Sequence, residues 1–209
     1  MNHGRAVSFG DSVSNDDELR ICGDVKGKRV LELGIFPRLV GDSASEGATP
    51  NSVVMAQRGA RAISIDPSRD AIARARAIAS RAEVAVEFHE GDVADLGFLM
   101  NSVLDLAVCV HHIDAHTDVA RLFRQVHRVL RPEAGFVFAV THPMSAVFDG
   151  NDPMARRPYG ATTPTIGEFT MALQRANFSI DVMYELTPLS APTAIAPTVL
   201  VVRARKLGS

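Results

Sequence analysis

Hydrophobic positions follow two rhythms along this chain: short apolar runs, and longer stretches with apolar residues at three- and four-residue steps. The runs are Arg29 to Gly34, Arg61 to Asp66, Leu104 to Val110 and Gly135 to Thr141, while Val84 to His89 alternates. Apolar runs bounded by turn residues predict parallel strands covered on both faces. The stepped stretches predict helices over Val53 to Arg58, Ser68 to Ala82, Asp118 to Leu130 and Phe169 to Phe178. The third is the clearest, with Val119, Leu122, Phe123, Val126, Val129 and Leu130 in one stripe and Pro132 ending it. Ile180 to Leu186 and Val199 to Ala204 read as two closing strands.

Strands and helices therefore alternate, the pattern of an α/β sheet. The closing pair has no helix between its members, so the last strand is expected to run antiparallel. Asn51 or Ser52 is the expected cap of the first long helix, and Gly59 its stop. Residues Met1 to Asp17 are expected to form a loosely held arm, and Glu18 to Gly23 a single helical turn. Two stretches lack either rhythm: 35–50, read as an inserted loop, and 143–164, read as a lid or substrate loop.

Composition narrows the picture further. A chain of 209 residues, 46% of them hydrophobic, can bury the core of a single domain spanning 1–209. A net charge of −2 supplies no field for nucleic acid or an anionic membrane, so neither is an expected partner. No apolar run approaches the ~20 residues of a membrane span, and the N-terminus lacks a signal peptide's order. A cytoplasmic location is the expectation. Cys22 and Cys109 are read as ordinary thiols, the second one buried.

Candidate chemistry gathers at strand ends. Open α/β sheets bind ligands beyond the carboxyl ends of their strands. Glu32, Asp66, Asp92 and His111 all fall at or near such ends, and Gly34 is where a residue without Cβ lets a ligand reach the backbone. Thirty-two residues separate Gly34 from Asp66, against ~20 in a dinucleotide-type βαβ unit. The excess fits an insertion between Gly34 and Asn51.

The series Val30-Leu31-Glu32-Leu33-Gly34, Ile65-Asp66-Pro67-Ser68, Glu90-Gly91-Asp92, Leu104 to Cys109 and His127 to Pro132 resembles the class I S-adenosylmethionine-dependent methyltransferases. The resemblance implies a three-layer Rossmann-like fold, with a seven-stranded, mostly parallel sheet whose sixth and seventh strands are swapped in spatial order. It implies S-adenosylmethionine as cofactor and a small-molecule methyl acceptor as partner, with a homodimer left open. Asp66 would hold the ribose with Pro67 beside it, while Asp92 and Val93 would meet the adenine. Glu32 and Gly34 would lie near the methionine end, and the backbone at Val110 and His111 near its ammonium group. The departure is the glycine loop, where Ile35, Phe36, Pro37 and Arg38 replace the family's short glycine-rich turn. Gly41 or Gly47 is open as a substitute.

Methyl transfer asks mainly for positioning, because the methyl is already activated. A nitrogen or oxygen acceptor also needs a base, for which His111, His112 and His142 are the candidates, with His116, Asp114 and Tyr159 behind them. His112 and His116 would share a helix face, a metal-type spacing with no third ligand. Arg156 and Arg157 are read as solvated, and His89 and His127 as structural. Two alternatives stand beside methyl transfer: a fold kept as a scaffold or regulatory partner, and an NAD-type oxidoreductase that the glycine pattern fits less well.

Overall fold

The computed structural model describes residues 6–36, 48–150 and 152–208. Five strands carry the apolar runs: β1 (Arg29–Leu33), β2 (Arg61–Asp66), β3 (Val86–Glu90), β4 (Leu104–Val110) and β5 (Leu130–Thr141). The helices are α1 (Asp16–Leu19), α2 (Asn51–Gln57), α3 (Arg69–Arg81), α4 (Val119–Val129) and α5 (Ile166–Arg175), and the closing strands are β6 (Phe178–Leu186) and β7 (Val199–Lys206). One seven-stranded sheet runs in the order β3-β2-β1-β4-β5-β7-β6. β1 to β5 pair in parallel, and β7 enters antiparallel between β5 and β6, the swapped order expected for the class.

Both faces of the sheet are covered, as continuous apolar strands require. On one face α4 and α5 press Leu122, Phe123, Val126, Phe169 and Leu173 onto Phe136 and Phe138. The rings of Phe123, Phe136 and Phe138 lie 5.4 Å apart in tilted and edge-on pairs. On the other face α2 contributes Val54 and Met55, but at seven residues it is too short to cover the centre of the sheet. Val7, Phe9 and Val13 fill the remainder, against Val108, Val110, Ala139 and Val199. The expected loose arm is thus corrected over residues 6–17. It packs as an integral layer, and Asp16 caps the turn behind it by accepting from the Ile21 and Cys22 amides.

Several boundaries differ for local reasons. α5 begins three residues earlier than expected, at a capping box in which Thr165 and Glu168 satisfy each other's backbone amides. It stops at Arg175, because Asn177 takes a left-handed φ of 61° and Phe178 starts β6. β5 begins at Leu130, and Pro132 lies where the β4–β5 register shifts, a place that needs no ladder amide. α1 spans Asp16–Leu19 and not the predicted 18–23, because Arg20 takes φ 55°. Asn51 is the first helical residue of α2, not its cap. No helix among the described residues is long and apolar enough to cross a membrane.

Candidate functional site

The carboxyl ends of β1 to β5 share one edge of the sheet, and Glu32, Gly34, Asp66, Pro67, Asp92, Val93, Val110, His111, His112 and His142 lie at or just beyond those ends. Glu32 pairs in register with Ser64, so two polar side chains face α2 from inside otherwise apolar strands. One oxygen of the Glu32 carboxylate accepts from the Asn51 amide at 2.7 Å; the other accepts from the Ser52 amide at 3.1 Å and the Ser64 hydroxyl at 2.8 Å. The helix has Pro50 at its N-cap position, with no side chain able to cap, and Glu32 supplies the missing acceptor. At 2% exposure, burial pushes its pKa up to about 7 against the lowering effect of these hydrogen bonds. Asn51 turns its own side chain to the Ser8 backbone instead.

Asp66 does a matching job where the chain leaves β1. Gly34 turns the chain at φ 76°, and the next amide, Ile35, donates to one Asp66 oxygen at 2.8 Å. The Ser68 amide donates to the other at 2.8 Å, and the Ser68 hydroxyl caps α3. Asp66 is 2% exposed, though each oxygen keeps a second lone pair. Ile35 and Phe36 lie on Ala71, Ile72 and Ala75 of α3, with the Arg74 guanidinium 4.4 Å over the Phe36 ring.

Beyond β2 and β3 lies an open cleft of about 500 Å³ lined by Pro67, Arg69, Glu90, Gly91, Asp92 and Val93. The Gly91 amide donates to the Asp66 carbonyl, joining the two strand exits. Asp92 accepts from the Ala94 amide at 2.9 Å and lies 3.4 Å from Arg121. Pro67, Asp92 and Val93 thus line one cleft.

The histidines separate into three situations. His111 closes β4 in the left-handed region at φ 55°, a conformation that costs of order 1–3 kcal/mol in a non-glycine residue and recurs at ligand sites. Its Nε2 donates to the Phe9 carbonyl at 3.0 Å, and its buried Nδ1 has no hydrogen-bond partner among the described residues. Burial lowers its pKa. His112 lays its ring on Gly34 and donates from Nε2 to the Phe36 carbonyl at 2.7 Å. His142 is fully engaged: Nδ1 accepts from the Met144 amide at 3.1 Å, and Nε2 donates to Glu185 at 2.9 Å. The Val110 side chain packs under Phe9, and His112 and His116 lie outside any helix. Among the described residues no group of three His, Cys, Asp or Glu is arranged for a metal ion. Arg156 and Arg157 pair with Asp152 and Asp149, while the Tyr159 hydroxyl accepts from the first amide of α5.

Sequence reasoning missed four contributors: Phe9, Phe36, Ser52 and Ser64. Ser64 carried a usable signal, a polar residue at the strand position that pairs with Glu32. Phe9 and Phe36 act through backbone carbonyls, which leave no trace in side-chain pattern. The residues 37–47, including Gly41 and Gly47, lie outside the described residues.

An adenosyl group needs apolar faces for its base and an acceptor for its ribose hydroxyls. The cleft lined by Pro67 and Val93 offers such apolar faces, while the Asp66 carboxylate, one residue before Pro67, is turned to the Ile35 and Ser68 amides. The face of Gly34, where the methionine half would approach the backbone, is taken by the His112 ring.

Residues 45–138 match the family model for a methyltransferase domain. A search of curated protein sequences finds no match. Among solved structures, an S-adenosylmethionine-dependent methyltransferase from Mesorhizobium loti is similar over 91% of this chain and 96% of its own, with 24% identity and a TM-score of 0.69. A methyltransferase of the same dependence from Methanosarcina mazei covers 94% of this chain and 99% of its own at 18% identity and a TM-score of 0.63. Geranyl diphosphate C-methyltransferase from Streptomyces coelicolor A3(2), solved with S-adenosyl-L-homocysteine, covers 90% and 76% at 11% identity and a TM-score of 0.66.

Proposed function

From a chain with the class I S-adenosylmethionine-dependent methyltransferase fold, we propose that this protein transfers a methyl group to a small-molecule acceptor. The observation that carries the reading is the open cleft lined by Pro67, Asp92 and Val93, directly after Asp66 at the carboxyl ends of β2 and β3, where open α/β sheets bind ligands. When bound, the cofactor supplies a methyl already activated on a sulfonium. Asp66 would accept from the ribose hydroxyls through its spare lone pairs, and Pro67 and Val93 would flank the base. The modest length of the 143–164 segment between β5 and α5 supports a small acceptor over a macromolecular one.

His111 is assigned the role of base. The Phe9 carbonyl fixes its proton on Nε2, leaving Nδ1 as the lone-pair nitrogen. Its lowered pKa keeps that nitrogen unprotonated at neutral pH. His142 has both ring nitrogens committed and serves as a brace between β5 and β6.

Calorimetry with S-adenosylhomocysteine tests the reading. Binding with a Kd in the roughly micromolar range is expected, weakened at least tenfold by Asp66→Asn. Absence of both heat and thermal shift with the parent protein would sink it and favour the scaffold reading, which His112 over Gly34 supports; binding of NAD in its place would point to an oxidoreductase.

A further inference from the structure

Gly34 has room for no side chain. A Cβ built there would stand 2.1 Å from Cγ of His112 and 2.2 Å from its Cδ2 and Nδ1, so the imidazole rests on the glycine itself. At φ 76° the residue is also in the region that glycine alone enters without strain. The ring reaches there from the exit of β4, is 6% exposed with its residue, and is held by the 2.7 Å hydrogen bond from Nε2 to the carbonyl of Phe36. Two residues apart, therefore, the same loop root offers a glycine face and the acceptor that keeps the imidazole on it.

We infer that His112 is an internal competitor for the cofactor site, occupying the face of Gly34 until ligand displaces it. The inference rests on the reading of this edge as the S-adenosylmethionine site. Its physical content is a two-state side chain. With the Nε2–Phe36 bond made, the ring covers the Gly34 backbone; with it broken, the ring swings off and the backbone is open to a ligand. A ligand that needs the open state binds with its intrinsic affinity reduced by the open fraction. The hydrogen bond to Phe36, with the packing of the ring on Gly34, contributes a bias of about tenfold to such an equilibrium. The contact then sets a threshold concentration below which the site stays closed on itself. The neighbouring Ile35 amide is held separately by Asp66, so the ring can leave while the loop root keeps its anchor.

The test is calorimetric titration of the full chain and of His112→Ala with S-adenosylhomocysteine, with the Tm of each recorded. Removing the competitor is expected to tighten binding about tenfold. Equal or weaker binding by a folded His112→Ala, alongside binding by the parent, overturns the inference while leaving the methyltransferase reading intact. Binding by neither overturns both. A second readout does not depend on the variant folding: the His112 ring resonances of the parent protein, assigned by through-bond correlation to its backbone. Saturation with S-adenosylhomocysteine is expected to move them away from their hydrogen-bonded positions, and unchanged resonances in the saturated protein overturn the inference.

Discussion

Glu32 faces an acceptor's task in a place that resists charge. Its folded pKa of about 7 lies above the ordinary 4.5, because burial outweighs the amides and hydroxyls that favour the carboxylate. The fold therefore binds this proton more tightly than the unfolded chain does. Stability from the group is whole below the unfolded value and is lost as pH rises through about 7. The shift corresponds to something on the order of 3 kcal/mol between pH 4 and pH 8. Urea unfolding at those two pH values is expected to show that loss in the parent and a flatter dependence in Glu32→Gln; parallel curves would count against it. His111 invites a different substitution. Asn tolerates the left-handed region better than most residues, so His111→Asn preserves the backbone while removing the base. The expected result is a kcat lower by roughly 10²–10⁴-fold and loss of the acid limb of the pH profile, which in the parent falls below the ordinary histidine range. Retention of full turnover by a folded His111→Asn would remove His111 from the base role.

Among the elements, the N-terminal segment changes most between sequence and structure. Val7, Phe9 and Val13 are too sparse for either rhythm, yet they close the sheet face that a seven-residue α2 leaves open. Phe9 is 0% exposed, and removing such a ring costs about 3–5 kcal/mol. Phe9→Ala is expected to lower the urea midpoint accordingly, whereas a loosely held arm would give a change within about 0.5 kcal/mol. The start of α5 was legible: Thr165 and Glu168 have the spacing of a capping box, a stronger signal than the apolar stripe that suggested Phe169. The cap of α2 was not, because its acceptor comes from β1, nineteen residues earlier in the chain.

At the scale of the molecule, alternation of strand and helix gave the layered sheet, and the helix-free closing pair gave the antiparallel β7. Those features follow from chain connectivity and side-chain period, which a sequence displays directly. The site was legible only in outline. Glu32, Asp66, Asp92 and the histidines fall at strand ends for reasons of period. What each one holds depends on backbone groups of Ile35, Phe36, Asn51 and Phe9, which only folding brings near. The glycine at 34 illustrates the limit: sequence demands a residue without a side chain there, and a histidine ring meets that demand as well as a ligand does.

The two acidic residues at the ends of β1 and β2 also have a consequence for how the chain tolerates change in length. Asp66 pins the chain as it leaves the sheet at Ile35, and Glu32 pins it again as it enters α2 at Asn51. Once both ends are moored to the same pair of adjacent strands, doubling the tether between them costs only about 0.6 kcal/mol of closure entropy. A change of chain length between Ile35 and Asn51 is therefore expected to leave the strands around it in register.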